Sequence, residues 1–430
     1  LMLRHTEQVR EFACSSSRRH RGYRTGSGET LIPLPADIPK PERDKGHKRR
    51  SGSIEEHTEL APRLLIRNSR GASLGGHEQH SLEHAMTKMH RRTFLAAAGI
   101  TALAHGRTVS TPLKSSSESL RLTGNGEWTY AVVPGWGTLP AGTTFGGTHG
   151  AIAQGKDGNI YVSTQSSTGV LVYRSDGHLL TKIATAYPEI HSMVFVTEGG
   201  EEYLYATVQK GTPEENWLFL KMKTDGSVKV KITAPPEAGF KSPNEWRITA
   251  AVPSPDGSIF IANGYGDSRI FRFDSHGNYK ASYSGKGSGE GKLDCSHGLS
   301  VDTRFDQPLL LVCDRENRRL CHFDLDGRYV RTITQHLRRP CQVSFHGDYA
   351  LVSELEGRAT ILDRDHVPVA FIGDNPRKEQ WANYDLDPGT IEAVEFSAAH
   401  GCFMDSQANI FVSDWNKTGR VTKLSRIRWS

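Results

Sequence analysis

From residue 121 onward the sequence has no P-loop, no dinucleotide-binding glycine fingerprint, no GxSxG elbow and no CxxC pair. These patterns accompany phosphate, nicotinamide, serine-hydrolase and dithiol chemistry, so those reaction classes have no sequence signature in this chain. Excess charge is missing as well, because the net charge of +5 comes from the first 104 residues and the remainder is nearly neutral. Since nucleic acids and anionic membranes attract basic surfaces, we expect neither as a partner.

The first 85 residues lack a periodic apolar pattern and are rich in Arg, Ser, Gly and Glu. Such a segment cannot bury enough apolar surface to offset the entropy lost on ordering, so we expect residues 1–85 to be disordered. The alternative is that translation starts at Met86 or Met89 and that the upstream leader is an artefact.

Residues 86–104 contain an arginine pair followed by a short apolar run, MTKMHRRTFLAAAGITALA. Arg91 and Arg92 precede the run, and Ala102-Leu103-Ala104 has the small residues of a cleavage site. The segment resembles a bacterial twin-arginine export signal, which implies export of the folded protein to the periplasm or beyond. Because the run is too short to span a bilayer permanently, we expect no stable membrane anchor.

A Ser-rich linker at 105–120 leads into six copies of one β-rich unit within residues 121–430. Each copy has a rim residue, an apolar run, a turn such as Asp-Gly, a second run and a tail of the type Phe-Asp-x-x-Gly. The copies begin at or near His149, His191, Arg247, His297, Pro340 and His400. Spacings of roughly 40 to 60 residues are typical of four-stranded propeller blades, whereas a β-helix would need much shorter repeats.

We therefore expect an all-β, six-bladed propeller with four-stranded blades, and a monomer. No long amphipathic helical pattern follows the linker, which agrees with this fold class. The segment LTGNGEWTYAVVPG precedes the first unit and is left over from the repeats. We expect it to supply the outer strand of blade six and so to close the ring.

Histidines open the inner strands of three alternate blades, namely His191 in blade two, His297 in blade four and His400 in blade six. Alternate blades of a six-membered ring are related by a near-threefold axis, so these imidazoles should converge at one mouth of the channel. Three imidazoles suit Zn²⁺ or a similar divalent ion with an open fourth position. The alternative is that each histidine caps a strand. His149 has the same place in blade one and is either a neighbour of the ligands or a coincidence.

The stretch Asn263–Asp324 brings two more side chains to this face. The chain passes through GLSVD and returns through LLLVCD, so the antiparallel return places Arg315 near His297. Tyr265 lies in a turn at the same end of the previous blade. The positive charges of Arg315 and of a divalent ion both favour the ionised phenol, so we expect the pKa of Tyr265 to be lowered. The alternatives are a rim aromatic for Tyr265 and a structural ion pair for Arg315.

The pieces GYGDSRI, HGLSVD and DRENRR resemble, in order and spacing, peptidyl-α-hydroxyglycine α-amidating lyase, the lyase half of the peptide-amidating enzyme. The units as a whole resemble NHL-type propellers. The resemblance implies that the three histidines hold zinc and that Tyr265 is the base, with Arg315 as the second catalytic residue. It also implies a reaction that splits a carbinolamide into an amide and glyoxylate.

The resemblance covers roughly residues 149–424 and breaks at three points. Where the family has an arginine in a His-Arg-Gly-Asp-His turn of blade one, this chain has Thr164-Gln165-Ser166. An aspartate that follows the last zinc histidine and helps to bind calcium is replaced by Gly401, and a methionine two residues before that histidine is replaced by Ala398. The substrate-carboxylate arginine and the calcium site therefore lack their residues, so the metal triad is better supported than the reaction.

Cysteines give a modest signal. Cys14 lies in the leader, and the five that remain cannot all pair. Cys313 and Cys321 end and restart adjacent strands across the DRENRR turn, so a disulfide between them is geometrically conceivable.

The leading hypothesis is an exported zinc-dependent lyase that acts on a carbinolamide in a peptide or small molecule. The alternative is a non-catalytic NHL-type propeller that binds a protein or a glycan on the same face. A metal-dependent lactonase or esterase is a third option, but the channel strands lack the acidic residues that it would need.

The twin-arginine segment predicts that the mature protein begins near His105 and that residues 1–85 are dispensable. N-terminal sequencing of exported protein should find a start immediately after Ala104. Recovery of the intact leader outside the cytoplasm would contradict this prediction.

Overall fold

The computed structural model describes residues 121–147, 150–210, 216–333 and 337–429. The expected leader, export signal and linker lie outside these residues, as does His149, so the expectations for them stay predictions. The only helices among the described residues are four short 3₁₀ turns, Pro236–Ala238, Pro243–Glu245, Lys378–Gln380 and Pro388–Thr390. None of these is long and apolar enough to cross a membrane.

The regular structure consists of β-strands, which are numbered in chain order. Two strands precede the first blade, β1 (Leu122–Asn125) and β2 (Trp128–Val132). Blade one contains β3 (Ile152–Gln154), β4 (Ile160–Ser163), β5 (Val170–Tyr173) and β6 (Leu179–Ile183). Blade two contains β7 (Glu189–Glu198), β8 (Glu201–Lys210), β9 (Asn216–Lys223) and β10 (Val228–Ile232). Blade three contains β11 (Ala250–Pro253), β12 (Ile259–Ala262), β13 (Arg269–Phe273) and β14 (Tyr279–Ser284).

Blade four contains β15 (Ser296–Asp302), β16 (Leu309–Asp314), β17 (Arg319–Phe323) and β18 (Tyr329–Ile333). Blade five contains β19 (Pro340–His346), β20 (Tyr349–Glu354), β21 (Arg358–Leu362) and β22 (Pro368–Ile372). Blade six contains β23 (Ala399–Met404), β24 (Ile410–Asp414) and β25 (Arg420–Arg426), together with the two strands that precede blade one.

Each blade is an antiparallel sheet; in blades one to five consecutive strands are neighbours and the first strand is innermost, whereas in blade six β23 is innermost. The six inner strands β3, β7, β11, β15, β19 and β23 contact one another in sequence around a central channel. This arrangement confirms the expected all-β, six-bladed propeller.

The middle strands contain continuous apolar runs because each blade is packed between two others. Strand β12 reads IFIA, and all four of its residues are buried. Strand β16 reads LLLVCD, with burial of every residue after the first. A strand covered on both faces shows a continuous apolar run rather than alternation, which explains why these runs were recognisable in the sequence.

The ring is closed by the segment that precedes the first unit, as expected. Strand β2 pairs antiparallel with β25, with Tyr130 opposite Arg426 and Val132 opposite Leu424. Strand β1 then pairs with β2 and makes blade six a five-stranded sheet rather than a four-stranded one. The beginning and the end of the described chain are therefore held in one sheet.

The five described cysteines are all free and buried. Cys313 pairs with Leu320 across the β16–β17 ladder, whereas Cys321 pairs with Val312. The two cysteines are thus one step out of register, and alternation directs their side chains to opposite faces of the sheet. The disulfide that the sequence left conceivable is not formed for this reason.

Ring closure predicts that Trp128 of β2 is critical for stability. Its side chain is 3% exposed, stacks edge-on against Tyr349 at 4.6 Å and lies in the core between blades five and six. Trp128→Ala should lower the free energy of unfolding by about 3–5 kcal/mol, the usual cost of emptying a large aromatic site. Urea denaturation measures this, with Leu122→Ala on β1, which is 43% exposed, as the control that should change little.

Candidate metal centre

The three predicted histidines each occupy an irregular position at the start of an inner strand. The ladder shifts register between Ile190 and Ser192 in β7, between Ser296 and Leu299 in β15, and between Ala399 and Gly401 in β23. His191, His297 and His400 are the residues at these shifts. A β-bulge leaves one residue unpaired and can redirect its side chain, and the same device recurs in three alternate blades of this ring.

The structure brings these three side chains together at the channel axis. Their ring centroids are 4.6–5.0 Å apart, and one ligand nitrogen from each lies within 4.8 Å of the others. The residues are only 2–4% exposed. The rings stand at 64–88° to one another, so they meet edge to face around a point rather than stacking.

Main-chain carbonyls decide which nitrogen of two of these imidazoles carries the proton. The Nδ1 of His191 lies 2.5 Å from the carbonyl oxygen of Thr249, and the Nδ1 of His297 lies 2.9 Å from that of Cys341. A carbonyl can only accept, so each Nδ1 donates its proton and each Nε2 keeps a lone pair. This orientation of a ring by its second nitrogen is usual for histidines that bind metals.

The carbonyl acceptors come from blades that lack an axial histidine. Thr249 directly precedes β11 of blade three, and Cys341 lies at the register shift of β19 in blade five. The even blades thus provide imidazoles, and blades three and five provide the carbonyls that orient two of them. The corresponding residue of blade one is Gly150, one position after the expected His149, because its carbonyl accepts from Ser413 Oγ as the Thr249 carbonyl accepts from Thr207 Oγ1.

Burial keeps the two oriented imidazoles neutral. It lowers the pKa of His191 to about 3, and it lowers the pKa of His297 well below the usual value, with the nearby charge of Arg315 acting in the same direction. A metal competes with protons for the same lone pairs, so neutral imidazoles at ordinary pH are ready ligands. The donor set of three imidazole nitrogens fits Zn²⁺ and similar divalent ions.

Tyr265 and Arg315 lie against the triad, in agreement with their predicted positions. The Tyr265 hydroxyl oxygen is 3.0 Å from His297 Nε2 and 3.2 Å from His191 Nε2. Arg315 donates from Nη1 to the same hydroxyl at 3.3 Å, and its guanidinium lies 5.3 Å from the centre of the Tyr265 ring. One phenol therefore touches two candidate metal ligands and one cation.

Arg315 by itself does not lower the pKa of Tyr265, and the part of the expectation that depends on a divalent ion stays a prediction. Burial raises the pKa of this phenol, and the neighbouring charge of Arg315 offsets the rise only in part. The sequence identified Arg315 as a nearby cation, but it could not show how strongly the site is desolvated. Desolvation disfavours the charged form of a phenol and outweighs one guanidinium at this position.

The departures from the lyase resemblance have structural consequences. A Cβ atom on Gly401 would lie 1.4 Å from the main-chain oxygen of Gly150, so an aspartate does not fit there unless the backbone moves. The turn of blade one holds hydroxyls instead of an arginine, with Thr164 Oγ1 2.9 Å from Thr168 Oγ1 and 3.0 Å from Ser166 Oγ. These groups satisfy one another and bring no cation to the site.

A cavity of about 400 Å³ lies along the channel and reaches the histidine triad. All six inner strands contribute to its wall, and no Asp, Glu, Lys or Arg side chain of the described residues lines it. Calcium sites use carboxylate oxygens, so neither this wall nor Gly401 fits the calcium ion that the resemblance implies.

Sequence reasoning missed a second buried group, Asp302, His322 and His366, whose ligand atoms also lie within 4.8 Å of one another. Arg331 donates to His322 Nδ1 at 3.1 Å and to His366 Nε2 at 3.0 Å, while Arg304 pairs with Asp302 at 2.8 Å. His322 Nε2 must then donate to Asp302, 3.2 Å away. Two guanidiniums already occupy the acceptors that a metal would need. No spacing in the sequence signals this group because its members come from three separate elements.

No family model matches the chain, and no curated protein matches it. Solved structures similar to it include a streptogramin B lyase (TM-score 0.47, 12% identity, 70% of this chain and 99% of that chain). A virginiamycin B lyase from Staphylococcus aureus gives a TM-score of 0.42 and 11% identity, covering 65% and 94% of the two chains. A putative gluconolactonase gives 0.44 and 12%, covering 67% and 93%. At these values the similarity concerns the propeller fold alone, and the resemblance to the amidating lyase gains no support from it.

The geometry of the triad predicts that the protein binds one divalent ion and that removing two of the three imidazoles abolishes binding. A His297→Ala, His400→Ala double variant should lose the metal, as measured by mass spectrometry of protein purified without a polyhistidine tag. Its β-rich circular dichroism should be unchanged. A His322→Ala, His366→Ala variant is the matched control and should keep the metal. Unchanged metal content in the first variant would show that the triad is not the site.

Proposed function

We propose that this protein is an exported, metal-dependent lyase that cleaves a carbinolamide, such as a peptidyl-hydroxyglycine, to an amide and glyoxylate. The observation that supports it most is the contact of one phenol with two axial imidazoles and with Arg315. A proton acceptor, a candidate metal site and a cation thereby lie next to one another. Lyase chemistry of this type needs all three groups within reach of the hydroxyl group of the substrate.

The reaction converts the substrate hydroxyl into a carbonyl. The O–H proton leaves, the C–O bond becomes C=O, and the C–N bond breaks with its electron pair passing to the amide nitrogen, which then takes up a proton. In the proposal the phenolate of Tyr265 accepts the hydroxyl proton and delivers it to the departing amide nitrogen, and Arg315 holds the phenolate in place through Nη1. Both side chains are partly buried, with the Arg315 side chain 12% exposed, which limits the access of water.

The residues that would hold the metal are His191, His297 and His400. A divalent ion bound there would act as a Lewis acid toward the substrate hydroxyl. Metal coordination would also engage the Nε2 lone pairs of His191 and His297, which are the acceptors within reach of the Tyr265 hydroxyl. The phenol oxygen would then be available to the substrate.

The competing proposal is a propeller that binds a protein or glycan without catalysis. The raised pKa of Tyr265 favours it, because a protonated phenol is a poor base. The two proposals differ in whether metal-loaded protein turns over a hydroxylated amide. Cleavage of α-hydroxyhippurate or a peptidyl-hydroxyglycine, followed by release of glyoxylate, distinguishes them.

If Tyr265 accepts the proton, Tyr265→Phe should reduce the turnover rate by roughly a hundredfold or more while metal content stays the same. The free energy of unfolding should change by less than about 1 kcal/mol, because the side chain borders the site and fills no core position. Tyr279→Phe is the matched control, since that hydroxyl bonds to Ser282 at 3.3 Å on the outer strand of the same blade.

Full activity of Tyr265→Phe on the best substrate would contradict the proposed mechanism. Failure of the metal-loaded wild type to cleave any hydroxylated amide would favour the binding proposal instead.

A further inference from the structure

Two guanidiniums next to the candidate metal centre share a single carboxylate. Arg315 donates from Nε to Glu316 Oε1 at 2.9 Å, and Arg339 donates from Nη2 to the same oxygen at 2.7 Å. Arg315 also reaches the Tyr265 hydroxyl at 3.3 Å. The Tyr265 phenol is therefore linked through Arg315 and Glu316 to a second arginine that belongs to blade five.

Main-chain hydrogen bonds hold Arg315 and Arg339 next to the residues that lie at the channel axis. The Arg315 N–H donates to the carbonyl of Cys295, two residues before His297. Arg339 lies in blade five at the place that Cys295 has in blade four, two residues before Cys341. Its own carbonyl accepts from the N–H of Leu355. Arg339 has a φ of 53°, a left-handed conformation that side chains rarely adopt. Cys295 has a φ of 61° at the same place in blade four, so this conformation belongs to the entrance of the inner strand in both blades.

The charges of this cluster do not balance. Arg315 and Arg339 bring two positive charges and Glu316 brings one negative charge, and the three side chains are only 12%, 24% and 30% exposed. In addition, the Nε of Arg339 is buried and has no hydrogen-bond partner. Buried donors are nearly always paired, and a charged donor left unpaired is especially costly. The cluster is short of one acceptor with negative charge.

Other arginines on the same rim do not share a carboxylate in this way. Arg338, the chain neighbour of Arg339, pairs with Asp374 at 2.7 Å and stacks on Trp381 with its guanidinium 4.3 Å from the ring centre. Arg318 pairs with both oxygens of Glu356 at 2.6 Å. The shortage of acceptors thus distinguishes the pair that adjoins Tyr265 from these two neighbours.

We propose that Arg315 and Arg339, joined by Glu316, form an oxyanion-binding subsite that takes a carboxylate of the ligand and that Arg339 determines this specificity. The assignment rests on the proposed function in one respect, because it gives the carboxylate of a hydroxyglycine unit a place beside Tyr265. It also places the cation in blade five, whereas the turn Thr164–Ser166 of blade one offers hydroxyls. A planar guanidinium fork suits a carboxylate better than a single ammonium would.

The test compares two ligands that differ only in charge, N-acetylglycine and N-acetylglycinamide, by isothermal titration of the metal-loaded protein. The wild type should bind the anion more tightly than the amide. Arg339→Gln should weaken binding of N-acetylglycine by roughly tenfold or more, the scale of a hydrogen bond to a charged group, and leave binding of the amide unchanged. Arg338→Gln is the matched control and should change neither affinity. Arg339→Lys should recover the affinity only in part.

Several outcomes would overturn the subsite: equal affinity of the wild type for the two ligands, no binding of N-acetylglycine, or an Arg339→Gln variant that binds the anion normally. A parallel loss for anion and amide would assign Arg339 a structural role and would also overturn it. The outcome is separable from that of the proposed function. Lack of hydroxyglycine cleavage would sink the lyase proposal while Arg339-dependent binding of the anion would stand, and the reverse combination would sink only the subsite.

Discussion

The hydrogen bond from an imidazole Nδ1 to a main-chain carbonyl of the next blade is the interaction on which the rest of the site depends. It fixes the tautomer of His191 and His297, directs both Nε2 lone pairs to one point and holds each ring against rotation. Because the acceptor belongs to a different blade, the geometry of the site is set by how blades pack against each other. A change in the tilt of one blade would move a carbonyl and turn an imidazole.

Close approach of inner strands is the second constraint. Gly298 follows His297, and a Cβ there would lie 2.3 Å from the Cys341 oxygen, the same oxygen that orients the His297 ring. Gly264 stands before Tyr265 and has the Ser296 oxygen 2.4 Å from the position of a Cβ. At these two places a side chain of the site therefore stands next to a residue that cannot carry one. This explains why His-Gly and Gly-Tyr pairs occur where chemistry-bearing residues meet the axis.

Much of this architecture could be predicted from the sequence, and the limits have physical reasons. Six repeats with apolar middle runs indicated the propeller, and equal offsets on alternate blades indicated that His191, His297 and His400 converge. The sequence could not show which carbonyls orient them, because any residue has a carbonyl. It also could not show that burial outweighs Arg315 at Tyr265, since the depth of a site depends on the loops of all blades. A disulfide between Cys313 and Cys321 remained conceivable from the sequence because a one-residue shift of register, which reverses the face of a side chain, cannot be recognised there.

Because His400 lies in the last blade, closure of the ring has a consequence for biosynthesis. Blade six is completed only when β25, the last strand in the described chain, pairs with β2, the second strand, so its contacts join residues from opposite ends of the propeller. Contacts of such separation form late, because loop-closure entropy must be offset first. His400 stands on the inner strand of that blade. A chain whose synthesis has not yet reached blade six offers two axial imidazoles at most, so a metal held by all three marks a molecule whose ring is complete.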